Sequence, residues 1–147
     1  NQNWSILIMK PELFEGGISV DKRGSVSFNN NLLLKKIKRF YIVQNIKKNY
    51  IRAWHGHKVE AKYILCIGGK AKVSAVKINN FKNPSRKVKP FHWYLDSKVP
   101  SVVYIPPGYA NGSKSISKDM RLLILSTTTL QKSLKDDFRF DKKLWKI

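Results

Sequence analysis

Apolar and polar residues alternate along this chain in short runs, and the runs are separated by turn-forming residues. Segments 5–9, 25–28, 39–44, 51–55, 62–67, 71–78, 91–95, 102–105 and 122–128 are rich in Val, Ile, Tyr, Phe and Thr. Side chains that fit a pleated, half-buried surface at period two predict β-strands there. Gly16-Gly17, Gly68-Gly69, Asn79-Asn80, Asn83-Pro84 and Pro106-Pro107-Gly108 fall between the runs and predict turns.

In the run 71–78, Ala71, Val73 and Ala75 share one face, but Val76 and Ile78 break the alternation. Either a bulge or a strand buried on both faces accounts for that break. Many short strands at this spacing predict an antiparallel all-β sandwich or jelly-roll barrel. The tail, 130–145, differs: Leu130, Leu134 and Phe138 recur every four residues, which predicts a short C-terminal helical segment. No repeat or low-complexity linker interrupts the pattern, so a single domain over 1–147 is expected.

Composition narrows the partners. With 29 Lys+Arg against 9 Asp+Glu the net charge is +20, which attracts anions of any kind. The basic residues are dispersed rather than gathered in an arm, as on a solvated lysine-rich surface. No zinc-finger, recognition-helix or RNA-binding signature accompanies the charge, which disfavours a nucleic-acid binder. The one cysteine, Cys66, lies in an apolar run and is expected to be a buried thiol. The apolar stretches are far shorter than the ~20 residues a spanning helix needs. The N-terminus has no leader pattern, and a cytoplasmic protein without membrane association is expected.

Two segments carry candidate chemistry. In Arg52-Ala53-Trp54-His55-Gly56-His57-Lys58 the two histidines stand two residues apart, on one face of a strand. In Tyr104-Ile105-Pro106-Pro107-Gly108-Tyr109-Ala110-Asn111-Gly112 an apolar strand runs into a rigid turn, after which β-structure resumes beyond Gly112.

Together these segments resemble the two motifs of the cupin family, His-x-His with a following Glu, and Pro-x-Gly-x-x-His. The resemblance implies a cupin jelly-roll barrel. In metal-binding cupins the histidines and the Glu hold a metal. Here Glu60 follows His57 too closely, and Asn111 stands in place of the last histidine. Two imidazoles and an amide suit a transition metal poorly, so no metal is expected.

Metal-free sugar-nucleotide enzymes of the cupin type are closer. Asp21-Lys22-Arg23-Gly24, Val43-Gln44-Asn45, Arg52-Ala53-Trp54-His55 and Ile105 through Gly112 resemble the dTDP-4-dehydrorhamnose 3,5-epimerases, in order and spacing over residues 17–145. Ile37-Lys38-Arg39-Phe40-Tyr41, the His55-Gly56-His57-Lys58 block and Asp136-Asp137-Phe138-Arg139-Phe140-Asp141 resemble the dTDP-sugar 3,4-ketoisomerases. The resemblance implies His55 as catalytic base, His57 as a second proton carrier, and Arg23, Arg52 and Lys62 as ligand-binding cations. It places Tyr41, Gln44 and Asn111 among the substrate-binding residues.

The epimerases also use a tyrosine acid, at a position occupied here by Ile124, and an aspartate paired with the histidine, for which the tail supplies no evident counterpart. The resemblance therefore favours an isomerase that shifts the keto group of a nucleotide-linked 4-keto-6-deoxyhexose, in surface-polysaccharide sugar biosynthesis. An epimerase of such a sugar is the alternative, and a non-catalytic sugar-binding cupin or a nucleic-acid binder the alternative of another class. No organic cofactor is implied, and both enzyme groups imply a homodimer with exchanged strands.

Overall fold

A computed structural model of the chain describes residues 9–147, so the strand expected at 5–9 lies outside the described residues except for Met9. The main elements form two five-stranded antiparallel sheets. The first sheet contains β1 (Glu12–Phe14), β4 (Arg39–Gln44), β6 (Lys62–Gly68), β9 (Val102–Ile105) and β11 (Arg121–Ser126), in the order β1-β9-β6-β11-β4. The second contains β5 (Ile51–His57), β7 (Lys70–Lys77), β8 (Phe91–Asp96), β10 (Tyr109–Ser115) and β12 (Phe138–Arg139), in the order β12-β5-β10-β7-β8. A separate hairpin joins β2 (Gly17–Asp21) to β3 (Gly24–Phe28). This is the double-sheet jelly roll that the alternating pattern predicts.

The core follows from that alternation. Ile64 and Cys66 of β6, Leu122 and Ile124 of β11, and Val103 and Ile105 of β9 face inward. They meet Ala71, Val73 and Ala75 of β7, Leu95 of β8 and Tyr109 of β10. A second cluster lies on the other side of the second sheet. There Trp54, Val76, Ile78 and Ala110 pack against Trp145, with Phe81, Phe140 and Leu144 around them. The broken alternation at Val76 is thus a strand buried on both faces, because the C-terminal segment covers the sheet.

That cover is specific. The Trp54 indole N–H donates to the Trp145 carbonyl at 3.2 Å, and the two rings meet edge to face at 5.6 Å. Gly56 makes room for it: a Cβ there would lie 2.7 Å from Ile78 and 2.9 Å from Phe140. Gly108, at φ +87°, closes the turn after Pro106-Pro107, where a side chain would be strained.

Two expectations change. The tail contains only one helical turn and a half, α1 (Leu130–Leu134), capped by Thr129. Leu130 and Leu134 point to solvent while Ser133 is buried, so their spacing does not mark a core face. Beyond α1 the chain joins the second sheet as β12, where the Phe138 ring meets Phe81 edge to face at 4.9 Å. Strand β10 begins at Tyr109, before Gly112. Its Ala-Asn-Gly-Ser-Lys-Ser run has low intrinsic strand preference, and the ladders with β5 and β7 on either side impose the conformation.

Trp54 is completely buried and links sheet to tail. Trp54→Ala should cost ~3–5 kcal/mol, from lost contacts and a residual cavity, measured by urea denaturation. A loss under ~1 kcal/mol would show that the tail is not a structural part of the sheet.

Candidate active site

Strand β5 sets the site. Its pairing with β10 shifts between Asn111↔His55 and Ser113↔Arg52, so Ala53 and Trp54 of β5 oppose Gly112 alone of β10. A bulge of this kind turns residues three apart onto one face. Arg52 and His55 therefore both line a cavity between the sheets, of about 190 Å³. Asn111, Gly112 and Ser113 of β10 share that wall. Tyr41 and Val43 of β4, Lys62 and Ile64 of β6, and Leu122 and Ile124 of β11 form the other.

His55 Nδ1 lies 3.6 Å from a carboxylate oxygen of Asp137, which leaves Nε2 as the nitrogen free for chemistry. Burial pushes the imidazole pKa below its ordinary value, and the Lys62 cation adds to this, while Asp137 opposes both. For Asp137 itself, burial raises the pKa, but the Arg139 hydrogen bond at 3.0 Å and His55 outweigh it and keep the carboxyl below its usual range. The His55 imidazole thus favours its neutral form and lies beside a carboxylate.

The other features fix the cavity's polarity. Asn111 donates its side-chain N–H to the His55 carbonyl at 3.1 Å and so pins the strand at the base. Arg52 Nε donates to the Asn45 side chain at 2.7 Å, and its outer nitrogen to the Gln44 carbonyl at 3.1 Å. Tyr41 sits directly across the ladder from Ile124, so a phenol from the neighbouring strand enters the region where the expected acid is missing.

Behind the Lys62 wall is a buried polar group. The Glu60 side chain is wholly buried and meets Thr128 Oγ1 at 2.6 Å, His57 Nε2 at 3.2 Å, Arg39 at 3.4 Å and Lys62 Nζ at 3.6 Å. Burial raises its pKa, but the Thr128 hydrogen bond, then Lys62 and His57, overcome that and bring it down to about 2. His57 Nδ1–H donates to the Asp136 carbonyl at 2.6 Å. Its pKa is lowered, chiefly by burial and then by Lys62. The Asp136 carboxylate accepts the backbone N–H groups of Lys58, Val59 and Glu60 at 2.7, 2.9 and 2.9 Å.

The structure brings together five of the residues singled out in the sequence: Tyr41, Arg52, His55, Lys62 and Asn111. His57 does not line the cavity, because the bulge and the turn after β5 aim it at Glu60 and Asp136. Gln44 reaches the site only through its backbone carbonyl, since the alternation of β4 sends its side chain outward. Arg23 lies on the exposed β2–β3 turn, paired with Asp21 at 2.7 Å, outside its own chain's cavity. The histidine's aspartate, absent in the sequence reading, is Asp137. Its signal was the Asp-Asp pair preceding Phe138, which becomes legible only once β12 is known to lie along β5.

A jelly roll with an inward histidine–aspartate pair and a basic cavity wall defines a cupin-like protein. Residues 9–143 match the family FdtA, described as WxcM-like, C-terminal, and the chain belongs to that family. Among solved structures it is similar to QdtA, a sugar 3,4-ketoisomerase from Thermoanaerobacterium thermosaccharolyticum, with a TM-score of 0.69, 19% identity and 93% of each chain covered. A 3,4-ketoisomerase from Helicobacter canadensis gives a TM-score of 0.69 at 16% identity, over 92% of this chain and 95% of that one. The RmlC epimerase of Mycobacterium tuberculosis gives 0.74 at 15% identity, over 93% and 73%. No curated protein sequence matches the chain significantly.

The electrostatic assignment predicts how His55 titrates. Lys62→Met removes a neighbouring cation and should raise the His55 pKa, whereas Asp137→Asn removes the anion and should lower it. Histidine NMR can follow the titration, since the chain has only 3 histidines. Opposite or absent shifts would exclude these residues as neighbours of the base.

Proposed function

We propose that this protein is an isomerase of a dTDP-linked 4-keto-6-deoxyhexose, and that it moves the keto group from carbon 4 to carbon 3. The observation that carries this reading is a carboxylate-oriented histidine, a buried ammonium and a phenol converging on one cavity. Keto–enol chemistry needs those three groups: a base, an oxyanion partner and a proton donor. Two of the similar folds are those of sugar 3,4-ketoisomerases, and QdtA was solved with TDP bound.

In the proposed reaction His55 Nε2 takes the proton from carbon 3, and the electron pair moves onto the carbonyl oxygen at carbon 4. Lys62 stabilises that oxyanion, and Tyr41 protonates it to give an enediol. The hydroxyl on carbon 3 then gives its proton to the Tyr41 phenolate as carbon 4 gains one from His55, which restores both the acid and the base. Asp137 holds the imidazole tautomer throughout. Arg52, exposed at the cavity edge, is placed to meet the diphosphate, and a guanidinium matches phosphate geometry well. The cavity is small for a whole nucleotide sugar, so the hexose enters and the nucleotide lies along the opening.

The epimerase alternative keeps the same base but needs proton return on the opposite face of carbon 3 or carbon 5. Ile124 offers no hydroxyl for it, which favours the keto shift. With dTDP-4-keto-6-deoxyglucose in D₂O, the wild type should incorporate deuterium at carbon 3 or 4, read by NMR. His55→Asn should lose exchange ~10²-fold or more with nucleotide binding retained, and Tyr41→Phe should slow it. Deuteration at both carbons 3 and 5 would restore the 3,5-epimerase.

We further propose that the protein works as a homodimer. The outer face of the first sheet presents Phe40, Ile42, Leu65, Ile67, Leu123 and Leu125 from three adjacent strands. A chain of charge +20 gains little from leaving such a patch in water. Among the described residues the β2–β3 hairpin pairs with no other strand, and exchange with a second copy would give it a partner and carry Arg23 to the neighbouring site. Leu123→Glu should convert the dimer to monomer in sedimentation. A monomeric wild type would end this reading.

A further inference from the structure

Lys62 is an unusual lysine. Its side chain is only 8% exposed, yet it lines the reaction cavity, and Glu60 is its one ion-pair partner among the described residues. A flexible four-carbon stem does not fix an ammonium by itself; an anchoring anion does. Glu60 in turn has no freedom. Thr128 and Arg39 hold Oε1, while His57 and Lys62 face Oε2. His57 is fixed from behind by the Asp136 carbonyl, and Asp136 is fixed by three backbone N–H groups. A single line of contacts therefore runs from the tail through His57 and Glu60 to the cavity.

We propose that Glu60 is a positioning residue, that it sets the Lys62 ammonium against the reacting oxygen, and that His57 acts on the reaction only through it. This rests on the isomerase reading for its effect on rate, but not for its effect on Lys62. The groups facing Glu60 are Arg39 from β4, His57 from β5, Lys62 from β6, Thr128 from the loop after β11, and Ser133 of α1, which the Arg39 guanidinium also meets at 3.0 Å. Among the described residues Glu60 is the sole anion that faces Lys62, so its removal takes the counter-charge from a buried ammonium. Such an ammonium gives up its proton more readily.

Two arms test this. In the first, no sugar nucleotide is present. Carbamylation of Lys62 by cyanate at pH 8 is followed by mass spectrometry in wild type, Glu60→Gln and Thr128→Val. The neutral amine is the reactive form, so Glu60→Gln should react at least ~5-fold faster, and Thr128→Val less so but in the same direction. In the second, turnover is compared across pH. Glu60→Gln should lose ~10²-fold in kcat with dTDP affinity within about 3-fold of wild type, and the alkaline limb of its kcat profile should move to lower pH. A residue that merely supports the fold would lower the melting temperature without moving that limb. Unchanged Lys62 reactivity in both variants would overturn the inference, whatever the enzyme does. Altered reactivity together with a wild type that catalyses no exchange would support the positioning role and refute the isomerase reading instead.

Discussion

The site depends on one carboxylate that lies outside the cavity. Asp136 binds the three successive backbone N–H groups of Lys58, Val59 and Glu60, and its own carbonyl receives the His57 imidazole. Charge-assisted bonds of this sort are about twice as strong as neutral ones. Here they tie the C-terminal segment to the turn that follows β5. The next residue, Asp137, then falls beside His55, and β12 continues along the strand that carries the base. From this seam onward the tail packs over Trp54.

The second constraint is electrostatic. Placing ions in a core costs ~several kcal/mol each unless they are paired and hydrogen-bonded. Glu60 meets that demand with a hydroxyl and three nitrogenous neighbours, and its depressed pKa records the result. Its folded pKa, about 2, lies below the ordinary 4.5, so its contribution to stability is full above pH 4.5 and fades as pH falls towards 2. The arrangement contributes specificity more than stability, since an apolar replacement of the whole group could be equally stable. What it achieves is a fixed cation at a dry wall, which an apolar replacement would forgo.

Much of this was legible in the sequence, for definable reasons. Period-two alternation revealed most strands because each sheet has one face on the core, as in 62–67 and 122–128. Strand β10 was only half visible: it is held by neighbours on both sides rather than by its own residues. The histidine motif located His55, which lines the cavity, but the period-two rule alone put His57 there as well. The bulge between Arg52 and His55 leaves no trace in composition, and it decides which β5 side chains meet the ligand. Asp137 was hidden for a different reason. Its role depends on a contact 82 residues away along the chain from His55, formed by a two-residue strand too short to read from pattern.

The pairing of Lys62 with His55 looks self-defeating at first, because a cation beside a base weakens it. The proposed reaction resolves this. Proton abstraction from carbon creates a negative oxygen, and catalysis depends on what binds that charge better than it binds the ketone. Lys62 lowers the basicity of His55 in the ground state but gains its full interaction as the oxyanion forms. Asp137 offsets the ground-state loss by stabilising the imidazolium that appears at the same moment. Base and oxyanion thus develop opposite charges together, each beside a fixed group of the opposite sign, and little reorganisation is left for the reaction to perform. The order of the strands explains how this is possible. Lys62 comes from the first sheet and His55 from the second, so the cavity between them is the place where the two charges can be held apart and still face one substrate.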